Sequence, residues 1–155
     1  EIGVRLVGSE MCIRDSGLPE SVAALEKNKH NPDVKVNAHE YFTGGFSSMF
    51  MSRNRVRGWD EPSFTIQASG RHAPLHPQAP KMLKTDFDSF MFAPGHENEY
   101  RRLTVRECAR IQTFPDDFNF AYQDVGDGYT MVGNAVPVQL ANTIGQVLHE
   151  MVKNC

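Results

Sequence analysis

Residues 101–118, RRLTVRECARIQTFPDDF, constrain this chain more than any other stretch. Thr104 can cap a helix with its hydroxyl while Glu107, three positions on, reaches back to the Thr104 N–H. The spacing predicts a helix over about residues 105–113, which Pro115 helps to stop. Arg106 and Arg110 stand four residues apart, which puts both guanidinium groups on one side. Fifteen residues after this block comes GNAVP at 133–137. Gly133 permits a tight backbone before a helix, and Asn134 can cap a turn or present its amide to a ligand. Pro137 suits a first helical position, where a missing N–H costs nothing. A helix N-terminus with free N–H groups there would suit a carboxylate. Val136, Leu140, Ile144, Val147, Leu148 and Met151 then recur at helical period, so the final helix has one apolar face that must pack on something.

The two blocks, in this order and at this spacing, closely resemble the last two sequence motifs of the DNA (cytosine-5)-methyltransferases. Arg102, Leu103, Thr104, Arg106, Glu107, Ala109, Arg110, Gln112, Phe114, Pro115, Asp116 and Phe118 all match the family's pattern for the first block. The resemblance covers about residues 17–155. It implies an α+β fragment: a small β-rich, loop-rich recognition domain, then helices that belong to an α/β S-adenosylmethionine-dependent methyltransferase domain. In the family the second motif forms a wall of the S-adenosylmethionine site. By that resemblance Asn134, Ala135 and Val136 are the cofactor-contact residues. The complete enzymes flip a cytosine out of the duplex and methylate its C5 carbon.

The net charge of −3 hides an asymmetry. Residues 51–84 carry six basic side chains against Asp60 and Glu61, a net +4, whereas residues 1–50 and 85–155 are net −2 and −5. A basic segment inside an acidic protein is the footprint of a phosphate-contacting surface, although a solvated charged loop has the same composition. The string MSRNRVRGWDEPSFTIQASGRHAPLHPQAPKM resembles the target recognition domain of bacterial cytosine-5 methyltransferases, in which a Thr followed by Leu, Ile or Val lies near the base-reading loops. Thr65-Ile66 fits that pair. Arginine can grip guanine O6 and N7, or a phosphate, with two bonds. The expected DNA contacts are Arg53, Arg55, Arg57, Thr65, Gln67, Arg71 and His72. The alternation of Arg53, Arg55 and Arg57 would point all three to one side of an extended chain.

Pro62, Pro74, Pro77 and Pro80, with Pro94 just beyond, suggest short strands joined by pinned loops. Residues 63–68, SFTIQA, alternate around Phe64 and Ile66 and are the best strand candidate. Residues 17–30 suggest one or two helical turns around Val22 and Leu25. Residues 85–100 read as a loop that Phe87, Phe90, Met91 and Phe92 can anchor. His72 and His76 are four apart, but Pro74 and Pro77 argue against a helix and no third metal ligand is evident.

Residues 6–16, LVGSEMCIRDS, resemble the translation of a sequencing adapter and leave residues 1–16 out of the fold reasoning. The expected organisation is a recognition domain over about 17–100 and the C-terminal part of a catalytic domain over 101–155. In the family a cysteine thiolate from a Pro-Cys pair attacks C6 of the base, with an acidic residue from Glu-Asn-Val near N3. This sequence has neither string: Glu97-Asn98 is followed by Glu99, and Cys108 sits inside the first motif. No catalytic residue is therefore assigned, and the chain alone is expected to be inactive. The implied partners are double-stranded DNA, the missing N-terminal catalytic part and a cognate restriction endonuclease. A split enzyme and a non-enzymatic DNA-binding module stay open as alternatives. No stretch approaches the roughly 18 apolar residues of a membrane span, and three cysteines without zinc spacing fit a reducing cytoplasm.

Overall fold

The structure is a computed structural model that describes residues 17–153. The adapter-like segment, with Cys12, and the last residue, Cys155, lie outside it. Among the described residues the architecture is α+β, with two small sheets and three α-helices. β1 (Val22–Ala23) pairs in parallel with β2 (Glu40–Tyr41), and β3 (Leu83–Asp86) pairs antiparallel with β4 (Ser89–Met91). Helices α1 (Val105–Ile111), α2 (Val125–Asn134) and α3 (Val138–Lys153) follow.

α1 begins as its sequence requires. The Thr104 hydroxyl accepts the Glu107 N–H at 3.0 Å, and the Glu107 carboxylate accepts the Thr104 N–H at 2.8 Å. Its end differs from expectation, because the chain turns before Pro115 is reached. Thr113 adopts φ +60°, its N–H bonds Arg110 O, and the Phe114 N–H bonds Ala109 O. That is a Schellman closure with threonine where glycine is usual. The Thr113 hydroxyl accepts the Gln139 N–H at 2.9 Å, which joins the end of α1 to the start of α3.

One core forms around α1 and α2. Leu103, Val105, Cys108, Ala109, Val125, Tyr129 and Val132 bury together with Ala24, Ala38, Ile66 and Ala73. This cluster draws on both sides of residue 100. A second cluster gathers Phe50, Val56, Leu75, Ala79, Met82 and Tyr100, with Phe92 stacked on Tyr100 at 4.2 Å. Single bridges join Val56 to Leu75 within this second cluster, and Leu75 to Arg102.

Several expectations are corrected. Residues 63–68 form no ladder, yet the alternation survives: Ile66 is buried while Thr65 and Gln67 face outward. The segment packs on α2 instead of on a neighbouring strand. Residues 17–30 give a strand and a single 3-10 turn at Glu26–Asn28. The stretch around 85–91 is a hairpin, from which Phe90 and Phe92 reach the second cluster while Phe87 stays 82% exposed. Gly133 and Asn134 lie in the last turn of α2, and the turn itself falls at Ala135 and Pro137. α2 escaped the sequence reading because glycines at 126, 128 and 133 weaken its helical signal. Gly128 makes room: a Cβ there would lie 2.7 Å from the Tyr122 ring and 3.0 Å from Val105.

The apolar stripe of α3 is present but uncovered. No α3 residue is buried among those described, and Ile144, Val147, Leu148, Met151 and Val152 are exposed.

Candidate functional site

Arg102 and Arg106 organise the first motif. Arg106 is 1% exposed. Its guanidinium donates from Nε to Asn37 O at 3.0 Å, from Nη2 to Asn37 Oδ1 at 3.0 Å and Phe118 O at 2.7 Å, and from Nη1 to Pro115 O at 3.3 Å. Arg102 donates to Gly44 O at 3.1 Å and Gly45 O at 3.0 Å, with its charge 4.1 Å above the Phe46 ring. Apart from the bond to Asn37 Oδ1, these donors are spent on main-chain carbonyls of the 37–45 region and of the loop after α1. Arg110 stands apart from Arg106: it forms a two-bond pair with Asp116 at 2.6 Å for both contacts, which holds Asp116 below the usual carboxylate range. The two arginines share a helix but serve different partners.

Glu107 is the centre of a buried charge network. Arg101 donates two bonds to its carboxylate at 2.8 Å each. Burial alone would raise the Glu107 pKa; the Arg101 bonds and charge, with His76 and the Thr104 N–H, hold it below the usual range. His39 Nε2 donates to Pro19 O at 2.9 Å, so Nδ1 accepts from the Thr104 hydroxyl at 3.1 Å. His76 Nδ1 accepts the Gln78 N–H at 3.2 Å. Burial, aided by the Arg101 charge, pushes His76 down to about 4 and keeps it neutral. These groups line a cleft of about 560 Å³ together with Trp59, Tyr41 and Glu99. The local sequence shows Glu107 only in its capping box, because His39 and His76 reach it from 68 and 31 residues away.

A smaller cleft of about 140 Å³ is lined by Arg53, Arg55, Phe64, Thr65, Gln67, His72 and Pro74. Five of the seven expected DNA contacts thus meet in one place, from stretches up to 19 residues apart in sequence. Arg57 does not line it. Its guanidinium lies 4.3 Å above the Phe64 ring and 3.8 Å from Glu61. Arg71 is exposed beyond the cleft lining, in the 3-10 turn Gly70–His72. Arg55 commits Nε to Phe50 O at 2.8 Å and Nη2 to Met49 O at 3.0 Å, which fixes the cleft wall. Arg53 is exposed. The three alternating arginines therefore do not share one orientation, because Arg57 is drawn off by an aromatic ring and an acid. His72 and His76 line different clefts.

At the second motif the Asn134 side chain is exposed and makes no hydrogen bond among the described residues, and Val136 is 59% exposed. The Ala135 N–H is committed to Val132 O. The first two N–H groups of α3 are not free, which leaves fewer donors there for a carboxylate than expected. The Val138 N–H bonds Gln112 O at 3.1 Å, and the Gln139 N–H bonds Thr113. An unpartnered amide beside an exposed valine still fits one polar and one apolar contact of a cofactor wall. Cys108 is fully buried, and burial pushes its thiol well above the usual range. No helix of the described residues is long and apolar enough to cross a membrane.

The family model for C-5 cytosine-specific DNA methylase matches residues 15–150. The chain is 60% identical over 143 residues to the type II methyltransferase M.MthTI of Methanothermobacter thermautotrophicus, covering 90% of this chain and 43% of that protein. It is 55% identical over 139 residues to M.FnuDI of Fusobacterium nucleatum, and 57% identical over 133 residues to M.NgoPII of Neisseria gonorrhoeae. These alignments cover 89% and 86% of the chain and 39% of each relative, so the chain spans less than half the length of these relatives. With the matched segment running through both motifs and the clefts they organise, the chain belongs to the C-5 cytosine-specific DNA methylase family.

Proposed function

We propose that this chain supplies the DNA-reading surface and one wall of the S-adenosylmethionine site of a DNA cytosine-5 methyltransferase. The observation that carries this reading is the small cleft, where Arg53, Arg55, Thr65, Gln67 and His72 converge. Arg53 and the neighbouring Arg71 supply charge for phosphates or guanine edges. Thr65 and Gln67 flank the buried Ile66 and present short polar groups to base edges. Asn134, Ala135 and Val136 contact the cofactor, which when bound supplies the methyl group. Arg106 and Glu107 take no part in the chemistry; Arg106 ties the 37 region to the loop after α1, and Glu107 ties Arg101 to the start of that helix. The recognition unit corresponds to about residues 17–100, and residues 101–155 belong with the catalytic domain.

The chain alone transfers no methyl group. The sequence has no Pro-Cys pair, and the Cys108 thiol is sealed in the core. The rest of the enzyme provides the nucleophile and covers the apolar face of α3. The relatives are named type II methyltransferases, so a paired endonuclease of the same specificity is the proposed biological partner.

The test combines two measurements on the purified 155-residue chain. Duplex binding, followed by anisotropy over a series of sequences and salt concentrations, should fall steeply with salt and prefer some duplexes. Transfer of labelled methyl groups to those duplexes should be undetectable. Salt-independent or absent duplex binding defeats the recognition role, and methyl transfer by the chain alone defeats the assignment of chemistry elsewhere.

A further inference from the structure

We propose that Gly133 is a positioning residue that locks the base-facing segment 65–67 to the cofactor-facing turn 134–136, so that the two surfaces respond to their ligands as one unit. The proposal rests on the functional reading above. A Cβ at Gly133 would lie 2.3 Å from Ala68 N, 2.4 Å from Gln67 C and 2.5 Å from Ala68 Cα. All three are backbone atoms, so no side-chain rotation relieves the overlap. Gly133 is within helix α2 and is not in the left-handed region. Its conformation therefore does not call for glycine, and glycine weakens a helix relative to alanine. The close approach of residues 67 and 68 is what excludes a side chain.

Two further contacts pin the same segment to the same helix. Thr130, nearly one turn before Gly133, has its hydroxyl 3.0 Å from Gly126 O and 3.3 Å from Ala68 O, so its one proton is shared between the helix and the segment. Ile66 is buried in the cluster that contains Val125, Tyr129 and Val132 of α2. Thr65 and Gln67, on either side of Ile66, line the small cleft. One residue past Gly133 the chain reaches Asn134. A displacement of the reading segment cannot be absorbed by flexible side chains, because the junction is backbone against helix in a close-packed region. Coupling of this kind is reciprocal in free energy: the factor by which the duplex changes cofactor affinity is the factor by which the cofactor changes duplex affinity.

Amide NMR on the labelled 155-residue chain tests this, with a cytosine-containing duplex and, separately, S-adenosylhomocysteine as probes. The duplex should shift amides at 65–68 and also at 133–135; S-adenosylhomocysteine should shift 134–136 and also 67–68. Duplex shifts at 65–68 with none at 133–135 overturn the coupling and leave the DNA reading intact. No duplex shift at 65–68 overturns both. Gly133→Ala should keep its helical signal and lose about tenfold in duplex affinity, within the usual range of coupling. Thr130→Val, at an exposed position, should lose about threefold, as for one hydrogen bond. Wild-type affinity in a folded Gly133→Ala, or in Thr130→Val should Gly133→Ala not fold, overturns the proposal.

Discussion

Arg106 grips Asn37 at two atoms, the main-chain oxygen and the side-chain oxygen, each at 3.0 Å, across 69 residues of chain. Asn37 in turn accepts the Phe120 N–H through Oδ1 at 2.8 Å and donates Nδ2 to Phe120 O at 2.9 Å. The arginine of the first motif thus closes the loop after α1 onto the segment that leads into β2. Replacing Arg106 with Met keeps the stem but orphans several carbonyls. Arg106→Met should cost about 3 kcal/mol or more, because buried acceptors lose a charged donor. Urea unfolding read by circular dichroism measures it, and an unchanged midpoint would mean that the guanidinium network contributes nothing.

Thr104 has two partners, the Glu107 N–H and His39 Nδ1. Thr104→Ala should lower stability by about 1–2 kcal/mol, the range for a helix cap. Thr104→Ser keeps both bonds and should recover most of that loss. Equal damage from the two substitutions would point to the methyl group instead of the hydroxyl.

Stability should fall as pH drops from about 6.5 towards 4. His76 has its folded pKa depressed to about 4 by burial, so between these values the unfolded chain binds more protons. His39 is shifted the same way by burial. Glu107, held below the usual carboxylate range, adds stability above its unfolded pKa that is lost further down. His76→Asn retains an acceptor for the Gln78 N–H, and should flatten the stability profile between pH 6.5 and 5. The urea midpoint against pH reads it, and an equally steep profile in the variant would assign the titration elsewhere.

Arg53→Ala and Arg71→Ala should each weaken duplex binding while leaving the unfolding midpoint in place, since both side chains are exposed. If each arginine contacts one phosphate, the slope of log affinity against log salt should shrink by about 0.9 per substitution. Arg57→Ala should act differently, through loss of its Phe64 and Glu61 contacts, and show mainly in stability. Anisotropy titrations at several salt concentrations separate these outcomes.

Leu148 is 56% exposed on the uncovered face of α3. Leu148→Glu should change the unfolding free energy of the chain by less than about 0.5 kcal/mol, as for other exposed positions. It should also reduce self-association at high concentration, because the apolar stripe is broken. Light scattering and urea unfolding together check this.

The first motif was legible because its signals are local. A cap, its reciprocal acid and a short helix lie within eight residues, so Thr104 and Glu107 are found where their spacing demands. The period of α3 was equally plain. Residues 63–68 were only half legible: their alternation places Ile66 inside and Thr65 and Gln67 outside, but nothing local says whether a strand or a helix lies beneath. Gly128 and Gly133 help to hide α2 because they serve its neighbours, Tyr122, Val105 and the backbone at 67–68, which are contacts a sequence window does not contain.

By itself the sequence determined the family, the capping box, the amphipathic last helix and the set of polar residues in the basic segment. These depend on residue type and spacing over a few turns. Only the tertiary structure decided which of those arginines share a cleft, that Arg106 is buried among carbonyls, that His39 and His76 gather around Glu107, and that Gly133 presses on residues 67 and 68. The cleft gathers stretches up to 19 residues apart, and the other three facts join segments some 30 to 70 residues apart. The free energy of such contacts comes from burial and from pairing polar groups out of water, and that depends on which surfaces meet when the chain closes.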